Sequence, residues 1–198
     1  MESLRSLEPD LVIAMFYGGN DLKNVMPLER YFHSRGSPRA PVELVPEGTD
    51  PGPIGESLDF AELGQLAYLH SNPLDERIAV GTCASIAPRD APAVRGARAR
   101  FVCVYLPPPL CAQPTVFAEV RAAVEDRLRS REMDVELSDR MADEWIALLR
   151  EHGLEVLDLR AQFQSAERSL LAGGWHTNLR GNALLASTFR QELEARGF

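Results

Sequence analysis

Six apolar residues in a row, Leu11-Val12-Ile13-Ala14-Met15-Phe16, run straight into Tyr17-Gly18-Gly19-Asn20-Asp21. No other stretch constrains the fold as much. A short continuous apolar run without period-2 alternation predicts a strand buried on both faces, the pattern of a parallel α/β sheet. The Gly-Gly turn at its carboxyl end then presents a side-chain amide and a carboxylate. In open α/β sheets ligands bind at that end of the strands. A second loop of similar character lies far downstream, at Trp175-His176-Thr177-Asn178-Leu179-Arg180-Gly181, and leads into an apolar helical pattern.

The lengths of the remaining segments fit one domain over residues 1–198. A chain of this size buries roughly 70% of the surface its unfolded form exposes. The formal net charge of −8 argues against non-specific binding to nucleic acid or to an anionic membrane surface. No apolar run approaches the ~20 residues of a spanning helix. Met1-Glu2-Ser3-Leu4-Arg5 lacks the basic and apolar regions of a signal peptide, so the chain as written reads as cytoplasmic. Cys83, Cys103 and Cys111 are odd in number and have no Cys-x-x-Cys spacing, which predicts buried thiols rather than a disulfide framework or a zinc site.

The first strand is expected over about 10–17, with a short helical turn after it, since Asn20 and Asp21 are good N-cap types. A Pro-rich insertion occupies about 33–56, with Pro38, Pro41, Pro46, Pro51 and Pro53, and predicts a long loop. The apolar spacing over 57–70 predicts a helix. Ile78 to Ile86 reads as a short strand or coil, and 88–100 as a Pro- and Arg-rich connector. A second buried strand is expected at Phe101-Val102-Cys103-Val104-Tyr105-Leu106, ended by three prolines. Helices are expected over about 114–131 and from Ser138 to His152, with Gly153 at the C′ position. Leu154 to Leu159 alternates more, and so predicts a strand nearer an edge. A last helix runs from about Asn178 to Ala195, with Leu184, Leu185, Phe189 and Leu193 as its core stripe. Strands alternating with helices at these lengths mean parallel βαβ units, hence α/β.

Each of the two loops has a structural and a chemical reading. Gly18 and Gly19 let the backbone approach a substrate, and the Asn20 amide can donate to a developing oxyanion. The same four residues, with Asp21, also suit a turn that caps a helix. They form neither a dinucleotide fingerprint nor a phosphate-binding loop with lysine. His176 is either a surface residue or a general base. It sits after Gly173-Gly174, before Asn178, which can cap the next helix, and before Gly181, which lets that helix pack closely. His33, His70 and His152 have no such setting and no metal-ligand spacing, and they read as solvated.

Taken together, Pro9-Asp10-Leu11-Val12-Ile13 leading to Gly18-Gly19-Asn20-Asp21-Leu22, the helix-strand run from Leu148 to Leu159, and His176-Thr177-Asn178-Leu179-Arg180-Gly181-Asn182-Ala183-Leu184 resemble blocks of the SGNH (GDSL-type) hydrolases. These are serine esterases and related acyl-transfer enzymes. The resemblance covers most of 8–22 and 100–196. It implies a flavodoxin-like three-layer α/β/α sandwich, with Asn20 as an oxyanion donor and His176 as the base. It implies a small-molecule or carbohydrate ester as substrate, and no cofactor or metal.

Two family elements are absent from the sequence. The nucleophile belongs to a Gly-Asp-Ser block on a strand ahead of the asparagine block, and nothing in residues 1–8 forms one. Gly81-Thr82-Cys83-Ala84-Ser85 comes too late in the chain to serve. The orienting acid should lie two or three residues before the histidine, where Gly173 and Gly174 stand; Asp158 and Glu167 are the candidates to replace it in space. The chain as written is therefore expected to be nearly inactive, because oxyanion and binding contributions alone amount to roughly 10³–10⁴ over water in the studied case. The other expectation is a non-catalytic domain that binds an acylated or carbohydrate ligand or a protein partner. With the family's first strands missing, residues 11–16 would form a sheet edge open to self-association.

Overall fold

The computed structural model describes residues 8–19, 21, 22, 25, 69, 73–96, 99–116, 118, 122, 136–166, 169–172, 176–195 and 197. Their elements are β1 (Leu11–Tyr17), α1 (Pro73–Gly96), β2 (Arg100–Leu106), α2 (Pro109–Ala112), α3 (Leu137–Glu151), β3 (Glu155–Asp158), α4 (Arg160–Gln164), β4 (Leu171–Ala172), β5 (His176–Thr177) and α5 (Leu179–Ala195). The Pro-rich insertion over 33–56 and the helix expected over 57–70, apart from Leu69, lie outside the described residues, as does most of the helix expected over 114–131.

The two continuous apolar runs form adjacent strands. β1 and β2 pair in parallel from Leu11↔Arg100 to Tyr17↔Leu106, and β2 pairs in parallel with β3 from Val102↔Glu155 to Tyr105↔Asp158. The order is β1-β2-β3, so β2 is central and β3 lies at an edge of the described sheet, as its alternation predicts. Strands of this kind join only through crossovers. Helices duly cover both faces. Alternate residues of β2 separate two cores: Cys103 and Tyr105 face α1 and α3, while Val102 and Val104 face Phe163 of α4 and the Leu184-Leu185-Phe189 stripe of α5. The fold is α/β.

Three expectations need correction. β1 is not buried on both faces: Ile13 is 41% and Met15 51% exposed, while Phe16, on the other face, is buried. Cover on the α5 side centres on β2 and β3, and β1 is the second edge of the described sheet. Residues 78–86 are not strand or coil, nor 88–96 a connector, because a single helix spans all of them. Most of its buried positions are small (Ala79, Cys83, Ala84, Ala87, Ala91, beside Val80 and Val94), which lets α1 lie close to α3 and the sheet. That tertiary contact overrides the helix-breaking tendency of Gly81, Pro88 and Pro92. Finally, the segment around His176 is not a plain loop: β4 and β5 form a two-residue antiparallel ladder.

α3 ends as its sequence predicts. Gly153 adopts φ +69°, its N–H bonds the Arg150 carbonyl, and the Leu154 N–H reaches back to Leu149. This is a Schellman closure, which favours glycine because L side chains resist the left-handed region. Among the described residues no helix is long and apolar enough to cross a membrane.

Candidate functional site

The carboxyl ends of the three parallel strands lie side by side, with Phe16, Tyr105 and Asp158 in register. After β1 the chain turns at once. The Gly18 N–H donates to the Leu106 carbonyl at 2.9 Å, extending the β1–β2 ladder by one rung. A β-carbon on Gly18 would overlap the Tyr105 hydroxyl and stand 3.0 Å from Cδ of Pro108, and one on Gly19 would run into the Tyr17 ring. The glycines are thus required by close approach of the chain's own aromatic residues. Tyr105 and Tyr17 occupy the space that the sequence reading gives to a substrate.

Asp21 closes the turn. Its Oδ2 accepts the Tyr17 N–H at 2.7 Å, four residues back. Burial raises its carboxyl above the ordinary value, and the Tyr17 hydrogen bond offsets part of that rise. Asn20, the expected oxyanion donor, lies outside the described residues.

The segments after β2 and β3 are tied together by glutamines. Gln113, 1% exposed, donates to the Ala166 carbonyl and accepts the Leu170 N–H at 2.8 Å, while Gln164 donates to the Cys111 carbonyl. Leu170 leads directly into β4, whose Ala172 pairs with His176. A continuous series of contacts therefore runs from Gly18 through Leu106 and Pro108 to α2 and Gln113, and on to the hairpin that carries His176.

Asn178 does what its residue type suits. Its Oδ1 accepts the N–H groups of Arg180 and Gly181, so it caps α5, and its Nδ2 donates to the Ser169 carbonyl at 2.8 Å. Its own N–H bonds the Leu170 carbonyl. A β-carbon on Gly181 would collide with that same carbonyl and stand 2.9 Å from Cβ of Thr177. The close packing expected at Gly181 exists, but against the hairpin backbone rather than the main sheet.

Asp158 and Arg160 form a separate cluster at the end of β3. Arg160 Nε and Nη2 bond both Asp158 oxygens at 2.7–3.1 Å, Nη2 also meets Asp143 at 2.6 Å, and Nη1 lies 3.4 Å from Asp139. The guanidinium sits 5.7 Å from the centroid of the Tyr105 ring. Burial on its own would favour the neutral form of Arg160. The hydrogen bonds of Asp158 and Asp143 and their charge outweigh it and hold the cation. Asp158, one candidate for the orienting acid, is therefore engaged by Arg160. Glu167 lies outside the described residues.

All three thiols are free and buried. Burial, with the nearby Asp21 charge, pushes Cys83 up to about 12, and burial pushes Cys103 up to about 11. Both are therefore protonated and unreactive at neutral pH. Sequence reasoning missed Gln113 and Arg160. Arg160 left a trace, since Asp139 and Asp143 stand four apart on one helix face; Gln113 left none, because its partners are distant backbone groups. Comparison with protein-family models, with curated proteins and with solved structures finds no match.

Proposed function

We propose that this chain is an SGNH-type esterase or O-acyl transferase domain, with a flavodoxin-like three-layer sandwich, acting on a small-molecule or carbohydrate ester. Asn20 would donate to the tetrahedral oxyanion and His176 would take the proton of the nucleophile. The supporting observation is the run of contacts from Gly18 through Pro108 and Gln113 to Leu170, which connects the loop after β1 with the hairpin of His176. The reaction also needs a serine in a Gly-Asp-Ser block. The 198 residues hold none, so the chain as given is expected to show little turnover.

The reading is tested by a crystal structure of the chain that includes Asn20, in which the Asn20 amide and the His176 ring should face one cleft. Side chains on opposite faces of the sheet, or more than about 15 Å apart, several times hydrogen-bond reach, would overturn it. With these residues joined to a Gly-Asp-Ser block, His176→Ala should abolish p-nitrophenyl acetate hydrolysis. Asn20→Ala should lower kcat by roughly 10²–10³.

A second reading, a non-catalytic domain of the same fold that binds a ligand or partner, is favoured by one observation: Arg160 already neutralises Asp158. Ester binding by this chain without turnover even when a Gly-Asp-Ser block is supplied would select it. Under either reading the β1 edge of the described sheet, with Ile13 and Met15 exposed, would promote self-association, which Met15→Lys should reduce in sedimentation velocity.

A further inference from the structure

Between the sheet and α1 lies a cavity of about 430 Å³, within the roughly 300–1,000 Å³ typical of small-molecule sites. Its walls are almost wholly apolar: Ala14 and Phe16 from β1, Phe101 from β2, Ile86 and Ala87 from α1, and Trp145 from α3. Among the described lining residues Asp21 is the one charged group. Its Oδ2 accepts the Tyr17 N–H at 2.7 Å. Among the described residues no other donor and no basic side chain reaches it. A carboxylate has room for about four hydrogen bonds, so most of that capacity is open. Burial removes water that would otherwise solvate the charge, and raises the carboxyl above its ordinary value. The Cys83 thiol, also in the lining, stays protonated beside that charge and supplies nothing to balance it. A cation entering the cavity would meet an unbalanced carboxylate across apolar walls, where attraction is poorly screened. An anion would meet repulsion in the same place, and a neutral molecule would leave the charge as it is.

We infer that this cavity binds an organic amine, whose ammonium group pairs with the Asp21 carboxylate while its alkyl or arylalkyl body lies against Phe16, Phe101 and Ile86. Such an amine is charged at neutral pH, as a lysine side chain is. Charge-assisted hydrogen bonds of this type are the stronger ones, and the apolar body gains by leaving water. The inference goes beyond the acyl-transfer reading and does not depend on it. It gives no role to Asn20 or His176, and it places the ligand on the α1 side of the sheet.

The test is isothermal titration of the chain at neutral pH with 4-phenylbutylamine, 4-phenylbutan-1-ol and sodium 4-phenylbutanoate, which share one body and differ in the head group. The amine is expected to bind saturably with half-saturation below about 1 mM. The alcohol should bind at least about tenfold more weakly, and the carboxylate more weakly still. Asp21→Asn keeps an acceptor for the Tyr17 N–H but removes the charge. It should weaken amine binding by at least about tenfold and leave the alcohol nearly unchanged. Ala87→Phe, which fills the cavity from α1, should weaken both by at least about tenfold. Thermal melts by circular dichroism verify that each variant is folded; if either fails to fold, the other variant and the order of the three ligands on the parent chain decide. The inference is overturned by absence of saturable amine binding, by the alcohol or the carboxylate binding as tightly as the amine, or by unchanged amine affinity in a folded variant.

Discussion

The two faces of the sheet are filled to different degrees. On the α5 side, Val104, Leu159 and Phe163 are fully buried, and the void among Val102, Leu157 and Phe189 amounts to about 10 Å³. On the α1 side the space beside Phe16 and Trp145 is about 430 Å³. Protein interiors are normally packed to crystal density, so an unfilled volume of that size gives up dispersion and burial energy that the opposite face retains. The α1 side holds the larger buried cluster of the described residues, from Phe16 and Val80 to Trp145 and Leu149. Beside Phe16 and Trp145 that packing is interrupted locally.

The comparison breaks most visibly through side-chain volume. Phe163→Ala, on the close-packed face, should cost about 3–5 kcal/mol, because the neighbours have no slack with which to collapse. Ala87→Phe adds volume on the opposite face and would be expected to cost 1–3 kcal/mol in a tight core. Here it enters existing space, and its cost should stay below about 1 kcal/mol. Urea unfolding measures both, and equal losses would abolish the distinction between the faces.

The strands β1 and β2 and the helices α3 and α5, which lie on opposite faces, were legible in the sequence. The apolar runs at 11–16 and 101–106 announced their strands because parallel sheets bury continuous apolar segments. The Leu184-Leu185-Phe189 stripe announced α5 through its helical spacing. On the cavity side, α1 stayed hidden because most of its inward residues are alanines and a cysteine, with Val80 and Val94 the exceptions. Alanines carry little hydrophobic contrast, the two valines stand fourteen residues apart, and Gly81, Pro88 and Pro92 mimic loop punctuation. The site divides in the same way. Asn178 was readable because capping is a local matter, and Gly18 because a Gly-Gly turn after a strand is conspicuous. Gln113 was not, since its work is done on backbone groups more than fifty residues away.

The hairpin offers a narrower way to sharpen the comparison. Gly181→Ala would normally favour a helix by about 1 kcal/mol. Here the added methyl meets the Leu170 carbonyl, a backbone atom that cannot rotate aside. The clash should prevail, with a net loss of about 1–3 kcal/mol. A stabilised Gly181→Ala protein would show that the hairpin floats free of α5. Asn178→Ala should cost about 1 kcal/mol. Asn178→Asp should recover part of it, since its carboxylate still accepts the Arg180 and Gly181 N–H groups but can no longer donate to Ser169.

The smallest effect concerns Asp21, the carboxyl that lines the looser face. Burial raises its folded-state pKa above the ordinary 3.8, with the Tyr17 N–H opposing. Over the interval between those two values the folded chain binds a proton that the unfolded chain has released. Stability therefore falls as pH rises through that interval, and the contribution of Asp21 is complete only below 3.8. Asp21→Asn keeps an acceptor for the Tyr17 N–H and carries no charge to desolvate. It should flatten this part of the stability–pH curve and leave the protein slightly more stable at neutral pH. The gain should be no more than about 0.5 kcal/mol, because the side chain still reaches solvent that screens it. Urea midpoints near pH 4 and near pH 7 measure the difference. A larger loss of stability toward neutral pH in the variant than in the parent would mean that the ionised carboxylate is held by a favourable partner, and the face that lines the cavity would then be less apolar than its packing implies.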